Sequence, residues 1–307
     1  MISRRLLVSI LAGCSTRAGL RAGTPVRDGR RSPEQSCDYH AKATVLMLSV
    51  PLFTRGNVGG GYLRVEETAR GAESLIRIEF GAGSNPERAA GLNRFGLFEE
   101  AIVESRGELA RAAYFGFMTS SEEKNLSQAR SALASGKPNG LTAIRGRIEA
   151  GRVWNRLLRL PGPLGANWRR IGELSGGIRA QLDAAPGSDP EVTGASKPWT
   201  FLYSIRHAMR APSDRGERCF VHNGELYTLR VVSQRDSSYG AKAARSGIAA
   251  AEDVVAMTGH IRAASGRNVS TFRIWFDSSS PQPVPIRFDF SPRSFLRLSF
   301  ERSGLLA

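Results

Sequence analysis

Cysteine, histidine and lysine are all scarce in this chain, and long apolar runs are missing. Three cysteines stand far apart without a CxxC pair, which argues against a zinc ribbon or a dithiol redox centre. None of the four histidines has another at i+4, so any metal site must draw its ligands from distant parts of the chain. No run approaches the roughly 18 apolar residues that a membrane helix requires. Only five of the 43 basic residues are lysine, although the net charge is +15. Such a surface attracts phosphate backbones, but the arginines are scattered singly, as a GC-rich genome leaves them. Reading elements for nucleic acid are missing, so a basic protein bound to nucleic acid or anionic lipid is a minor alternative.

What is present begins with the leader "MISRRLLVSILAGCSTR". Two arginines, a short apolar segment and small residues form an export signal, residues 1–14. Leu11-Ala12-Gly13-Cys14 resembles a lipoprotein processing box, which makes Cys14 the candidate lipid attachment site. Arg4-Arg5 also permits a twin-arginine reading, and a wrongly chosen start codon is the bland alternative. Export places the chain in the periplasm or at the outer membrane; a mis-called start leaves it in the cytoplasm. An oxidising compartment would allow Cys37 and Cys219 to pair. Residues 15–43, rich in Arg, Gly, Ser and Pro, read as a flexible tether.

A single β-rich domain is expected from 44 to 303, with a helical insertion near 141–210. "VLMLSVPLF" alternates as a strand buried on both sides. The glycines of "FTRGNVGGGYLRVEE" fail the dinucleotide test, because "YLRV" continues as a strand where a helix should begin. They read as a turn or bulge at which the chain reverses. Asn85 and Pro86 open a short helix. "GLFEEAIVES" and "ELARAAYFGF" form a hairpin about Arg106-Gly107, with helix as a competing reading. Ser120 and Glu123 make a capping box for a helix ending at Gly136. Trp168, Ile171, Leu174, Ile178 and Leu182 repeat at helical spacing, interrupted by Gly176-Gly177. "SKPWTFLYSIRHAMRAP" is a helix capped by Ser196, with Trp199, Leu202, Ile205 and Met209 as its buried stripe.

The C-terminal third alternates with period two. Asn223-Gly224 is a type I′ turn signal, and "TFRIWFD", "VPIRFDF" and "FLRLSFE" each carry one apolar and one polar face, as in an antiparallel meander. These elements predict a mainly β fold with inserted helices. Its curved antiparallel sheet forms a partly open barrel that helices plug or flank.

Catalytic signals are weak. Ser121 and Lys124 match an SxxK pair at a helix start, but no KTG element accompanies them. Glu99-Glu100 and Glu122-Glu123 point to opposite sides of their elements and suit solvent. Trp199, Tyr203 and His207 align at i, i+4, i+8 and form a candidate pocket edge; a helix flank against the sheet explains the same line. No catalytic, cofactor or metal residues are assigned and no cofactor is expected.

"WTFLYSIRHAM" followed by "FRIWFD…PVPIRFDF…SFLRLSFE" resembles the bacterial family called domain of unknown function 3108. Leu202, Tyr203 and Arg206 match its helix element, and Trp275, Asp277, Pro285 and Arg287 its closing strands. "VLMLSVPLFTRGNVGGGYLRVEE" is similar to its leading strand pair. The resemblance implies an exported, β-rich envelope protein and supplies no activity. The function expected is a non-enzymatic envelope protein that binds a lipid, another hydrophobic ligand or a protein partner. An envelope-polymer hydrolase using His207 is the alternative.

Overall fold

The computed structural model describes residues 35–47, 50–89, 93–120, 131, 140–162, 168–194, 197–213, 216–264, 268–293 and 296–305. Cys14, Ser121, Lys124, Ser196 and the helix expected after Ser120 lie outside them.

Fourteen antiparallel strands form one curved sheet, in the order β8-β7-β6-β5-β4-β3-β2-β1-β14-β13-β12-β11-β10-β9. The first half of the sheet comprises β1 (Gln35–Met47), β2 (Val50–Arg70), β3 (Glu73–Ser84), β4 (Phe95–Ser105), β5 (Glu108–Ser120), β6 (Gly140–Glu149), β7 (Arg152–Pro161) and β8 (Glu191–Val192). The second half supplies β9 (Glu217–His222), β10 (Glu225–Arg235), β11 (Val254–Ala263), β12 (Asn268–Asp277), β13 (Pro285–Arg293) and β14 (Leu296–Arg302). Each half is a meander, and the halves join where β1 pairs with β14.

The meander follows from the alternation described above. Phe272, Ile274 and Phe276, with Phe288, Phe290 and Phe300, are buried on the inner face. The hairpin turns are also local: Asn223 and Gly224 have φ of +50° and +75°, the type I′ pair whose twist matches the strands it joins. Arg106-Gly107 and Ala150-Gly151 form turns of the same kind.

Three helices are described. α1 (Ile171–Ala184) and α3 (Ser237–Arg245) lie outside the curve, and α2 (Phe201–Arg210) lies within it. α1 seats Ile171, Ile178 and Leu182 on Phe95, Leu97, Phe117 and Leu141, at about 2 kcal/mol per fully buried side chain. That offsets the two glycines in its exposed face. α3 seats Tyr239 and Ala243 over Trp275 and Ile286, so Trp275, on the strands' alternate face, is buried as well.

Several expectations are corrected. The tether ends before Gln35, because Cys37, Tyr39 and Ala41 already alternate into the core as part of β1. The region near 141–210 is not wholly helical: the β6–β7 hairpin occupies 140–161. Asn85 opens a turn, with Ala89 N–H bonded to its carbonyl at 2.7 Å, and residues 86–89 form a turn rather than a helix. The glycine stretch is a bulge without a reversal. Asn57 has φ of +56°, and the β1–β2 register slips between Ala41 and Ala43 while β2 runs on. Its glycines serve close approach: a Cβ on Gly59 would lie 2.1 Å from the Gly83 carbonyl oxygen, and one on Gly83 would lie 2.2 Å from Trp168 Cβ. "VLMLSVPLF" is not buried on both sides, since β2 pairs with β3 only from Gly59 onward and Val50–Gly56 is exposed throughout.

The two edges of the sheet are finished by one connector. Asn155 on β7 donates its N–H to Pro190 O at 2.9 Å just before β8. Trp199 then runs beside β9, donating to Cys219 O at 2.9 Å and accepting from Val221 N–H at 3.1 Å. The Asn155 amide, turned so that both ends are satisfied, accepts from Gly224 N–H at 3.0 Å and donates to Tyr114 Oη at 2.8 Å. The result is a barrel-like sheet whose edges do not pair directly with each other.

Candidate functional site: the apolar cavity beside α2

The inner face of a curved sheet this wide leaves a volume that side chains must fill. α2 takes up most of it, and three carboxylates from the first half of the sheet hold the helix in place. At its N-terminus Glu100 of β4, fully buried, accepts from Thr200 Oγ1 at 2.5 Å and from the backbone N–H groups of Leu202 and Tyr203 at 2.9 Å each. Thr200 is the N-cap residue, yet its hydroxyl bonds Glu100 rather than the helix. A carboxylate a hundred residues earlier therefore satisfies the orphan donors of the first turn. Burial pushes the Glu100 carboxyl up to about 7 against these donors.

Glu104 of β4 accepts from Tyr203 Oη at 2.8 Å. At the helix's other end Glu67 of β2 takes Arg206 at 2.5 Å and Arg210 at 2.8 Å, and Gln282 Nε2 at 3.3 Å. Burial lowers the Arg206 guanidinium below its usual range, partly offset by Glu67.

Between α2 and the sheet is a cavity whose empty space, counted out through its open mouth, is about 750 Å³. Leu63, Val65, Ile78 and Phe80 form one wall, and Phe272, Ile274, Phe288 and Phe290 the other. α2 contributes Leu202, Ile205 and Met209, and Pro283 and Pro285 border the space. Arg206 and Asp289 are its charged lining residues, and each is already paired, Asp289 with Arg287 at 2.7 Å. The space suits an apolar body.

Trp199, Tyr203 and His207 do come together. Trp199 lies 5.1 Å from Tyr203 and 4.9 Å from His207, ring centre to ring centre. They line the helix flank toward β9, where Arg218 Nη2 is 3.3 Å from His207 Nδ1, and are not among the cavity-lining residues. The expected stripe is also shifted. Met209 is buried as expected, but Leu202 and Ile205 are only partly buried at the cavity, and Phe201, Tyr203, Ser204, Arg206 and Ala208 are buried beside Met209. Trp199 is held in the β9 bridge, which delays the helix to Phe201.

Two polar residues of the interior carry no strong signal in the sequence. For Glu100 the expected solvated setting is corrected to a buried one; the pair does divide between faces, with Glu99 meeting Arg179 of α1 at 2.8 Å. His222 is buried with neither ring nitrogen hydrogen-bonded, 5.9 Å from the Phe98 ring centre. Burial pulls its imidazole down to about 3. Cys37 and Cys219 are free thiols on β1 and β9. Among the described residues no group of three His, Cys, Asp or Glu side chains is placed to hold a metal, and no helix is long and apolar enough to cross a membrane.

No protein-family model and no curated protein sequence matches the chain. Among solved structures it is similar to the crystal structure of a β-barrel-like protein of domain of unknown function DUF1849 from Brucella abortus. The two share 8% identity with a TM-score of 0.45, over 88% of this chain and 95% of that one.

Proposed function

We propose that this chain is a non-enzymatic binding protein of the cell envelope that holds a lipid or other hydrophobic ligand beside α2. The observation that carries the proposal is the cavity itself: an apolar space inside the sheet, lined by Pro283, Pro285 and Arg206 as well as by the apolar walls, with Arg206 held by Glu67. Export fits the leader's composition, with Cys14 as the lipid-bearing residue. Mass spectrometry of the mature N-terminus tests that part, because an intact leader overturns it.

The binding proposal is tested on the purified full chain with N-phenyl-1-naphthylamine and by native mass spectrometry. The wild type is expected to bind the probe saturably. Ile205→Trp, which fills the cavity from α2, is expected to weaken binding by about tenfold or more. Absence of saturable binding in the wild type, or equal binding in a folded Ile205→Trp variant, would overturn the proposal.

A further inference from the structure

β2 outruns its neighbour. Residues 50–56 pair with β1 alone, because β3 begins its pairing at Gly59, and β14 follows β1 only as far as Val45. The result is a two-stranded finger projecting from the sheet. It carries the three most exposed of the large apolar side chains among the described residues: Val50 at 61%, Leu52 at 55% and Phe53 at 59% exposure.

We infer that this finger is a docking element for an anionic lipid bilayer, inserted to the level of the headgroup–acyl boundary. Two features of the finger select that occupant. First, Pro51 sits on the open edge without an N–H to donate, which obstructs pairing with a strand of a second copy. Second, the charge is of one sign. No acidic residue occurs between Asp38 and Glu66, and Arg55 and Arg297 flank the base of the finger, opposite Ala43 and Thr44 respectively. A basic collar behind an apolar tip is the pattern of interfacial membrane binders.

The dimensions agree. Val50–Phe53 extends roughly 10 Å at about 3.3 Å per residue, matching the ~5–10 Å depth of interfacial insertion. Crossing would take strands of roughly 9–11 residues in a closed barrel. The finger lies well away along β2 from Leu63 and Val65, through which that strand lines the cavity, so the inference does not depend on what fills the cavity.

The test uses the full chain and sedimentation with vesicles of phosphatidylcholine alone or mixed with phosphatidylglycerol. Binding is expected to be stronger on the mixed vesicles, and to fall about tenfold or more in a Leu52→Asp/Phe53→Asp double variant and several-fold in Arg55→Glu. Phe53→Trp, which keeps the apolar tip, is expected to retain binding and to show indole emission quenched by lipids brominated near the top of the acyl chain. That readout stands if the double variant misfolds. Undiminished binding of a folded double variant, unquenched emission from the vesicle-bound Phe53→Trp variant, or no vesicle binding by the wild type would overturn the inference; the first two would assign any binding to another part of the chain.

Discussion

His222→Leu is a replacement of a buried polar ring by an apolar side chain of similar size. A neutral imidazole carries one donor and one acceptor, and both nitrogens of His222 are buried without partners. Each such group costs about 1–3 kcal/mol, and imperfect fit of the leucine returns about 1 kcal/mol. Two such groups less that misfit leave the variant about 1–5 kcal/mol more stable at pH 8. Acid adds a second, independent term. The folded imidazole titrates at about 3, well below its ordinary 6.5. Between those values the unfolded chain binds a proton that the folded chain refuses, so wild-type stability falls as pH falls. The loss is about 1.4 kcal/mol per pH unit, or about 2 kcal/mol between pH 6.5 and 5. Urea unfolding of both proteins at pH 8 and pH 5 reads the two terms separately: a gap in favour of the variant at pH 8, wider at pH 5. Contributions from other groups are common to both proteins and cancel. A less stable variant at pH 8 combined with an unchanged gap at pH 5 would refute the reasoning.

Glu100 has the opposite sign. Its folded carboxyl titrates at about 7 against 4.5 unfolded, so its favourable contribution is complete below 4.5 and is lost as pH rises to 7, by about 3 kcal/mol. Relative to Glu100→Gln, the wild type is expected to weaken across that window in chemical unfolding; a relative gain would show that the helix N–H donors outweigh burial. Glu67→Ala leaves the buried Arg206 without its partner and is expected to cost about 3 kcal/mol. Glu108→Ala, which breaks the exposed pair with Lys197, costs at most about 1 kcal/mol. Equal melting temperatures for these two variants would count against a buried clamp on α2.

The strand meander is legible in the sequence because the inner face of its strands is apolar at period two: Phe288 and Phe290 alternate with Arg287 and Asp289, whereas Ile286, before the register shift, lies on the other face under α3; Asn223-Gly224 marks its turn without help from the rest of the fold. α1 is legible for the same reason, its inner stripe being apolar at helical spacing. The β6–β7 hairpin is harder to see because Ala150-Gly151 is a weaker turn signal than Asn-Gly, and because Trp154, Asn155 and Arg156 interrupt the apolar pattern of β7. The start of β1 has a readable signal in Cys37, Tyr39 and Ala41, which the surrounding polar residues obscure. The finger escapes a sequence reading because alternation reports that a segment is a strand and cannot report that its neighbour stops short. The cap on α2 is beyond local reading altogether: Glu100 and Thr200 meet only once β4 is in the sheet, and nothing in "FEEA" distinguishes the glutamate that turns inward.

The join between β1 and β14 sets the order in which the molecule can be completed. The strand at the beginning of the described chain lies between β2 and the strand at its end, so a growing polypeptide can form its first meander early but must leave one edge of β1 open until β14 arrives. Such late, distant closure slows folding and exposes an unpaired strand meanwhile. Linking the two ends and opening the chain at the connector between β8 and Trp199 would make that join local, converting the slowest step into one of the fastest.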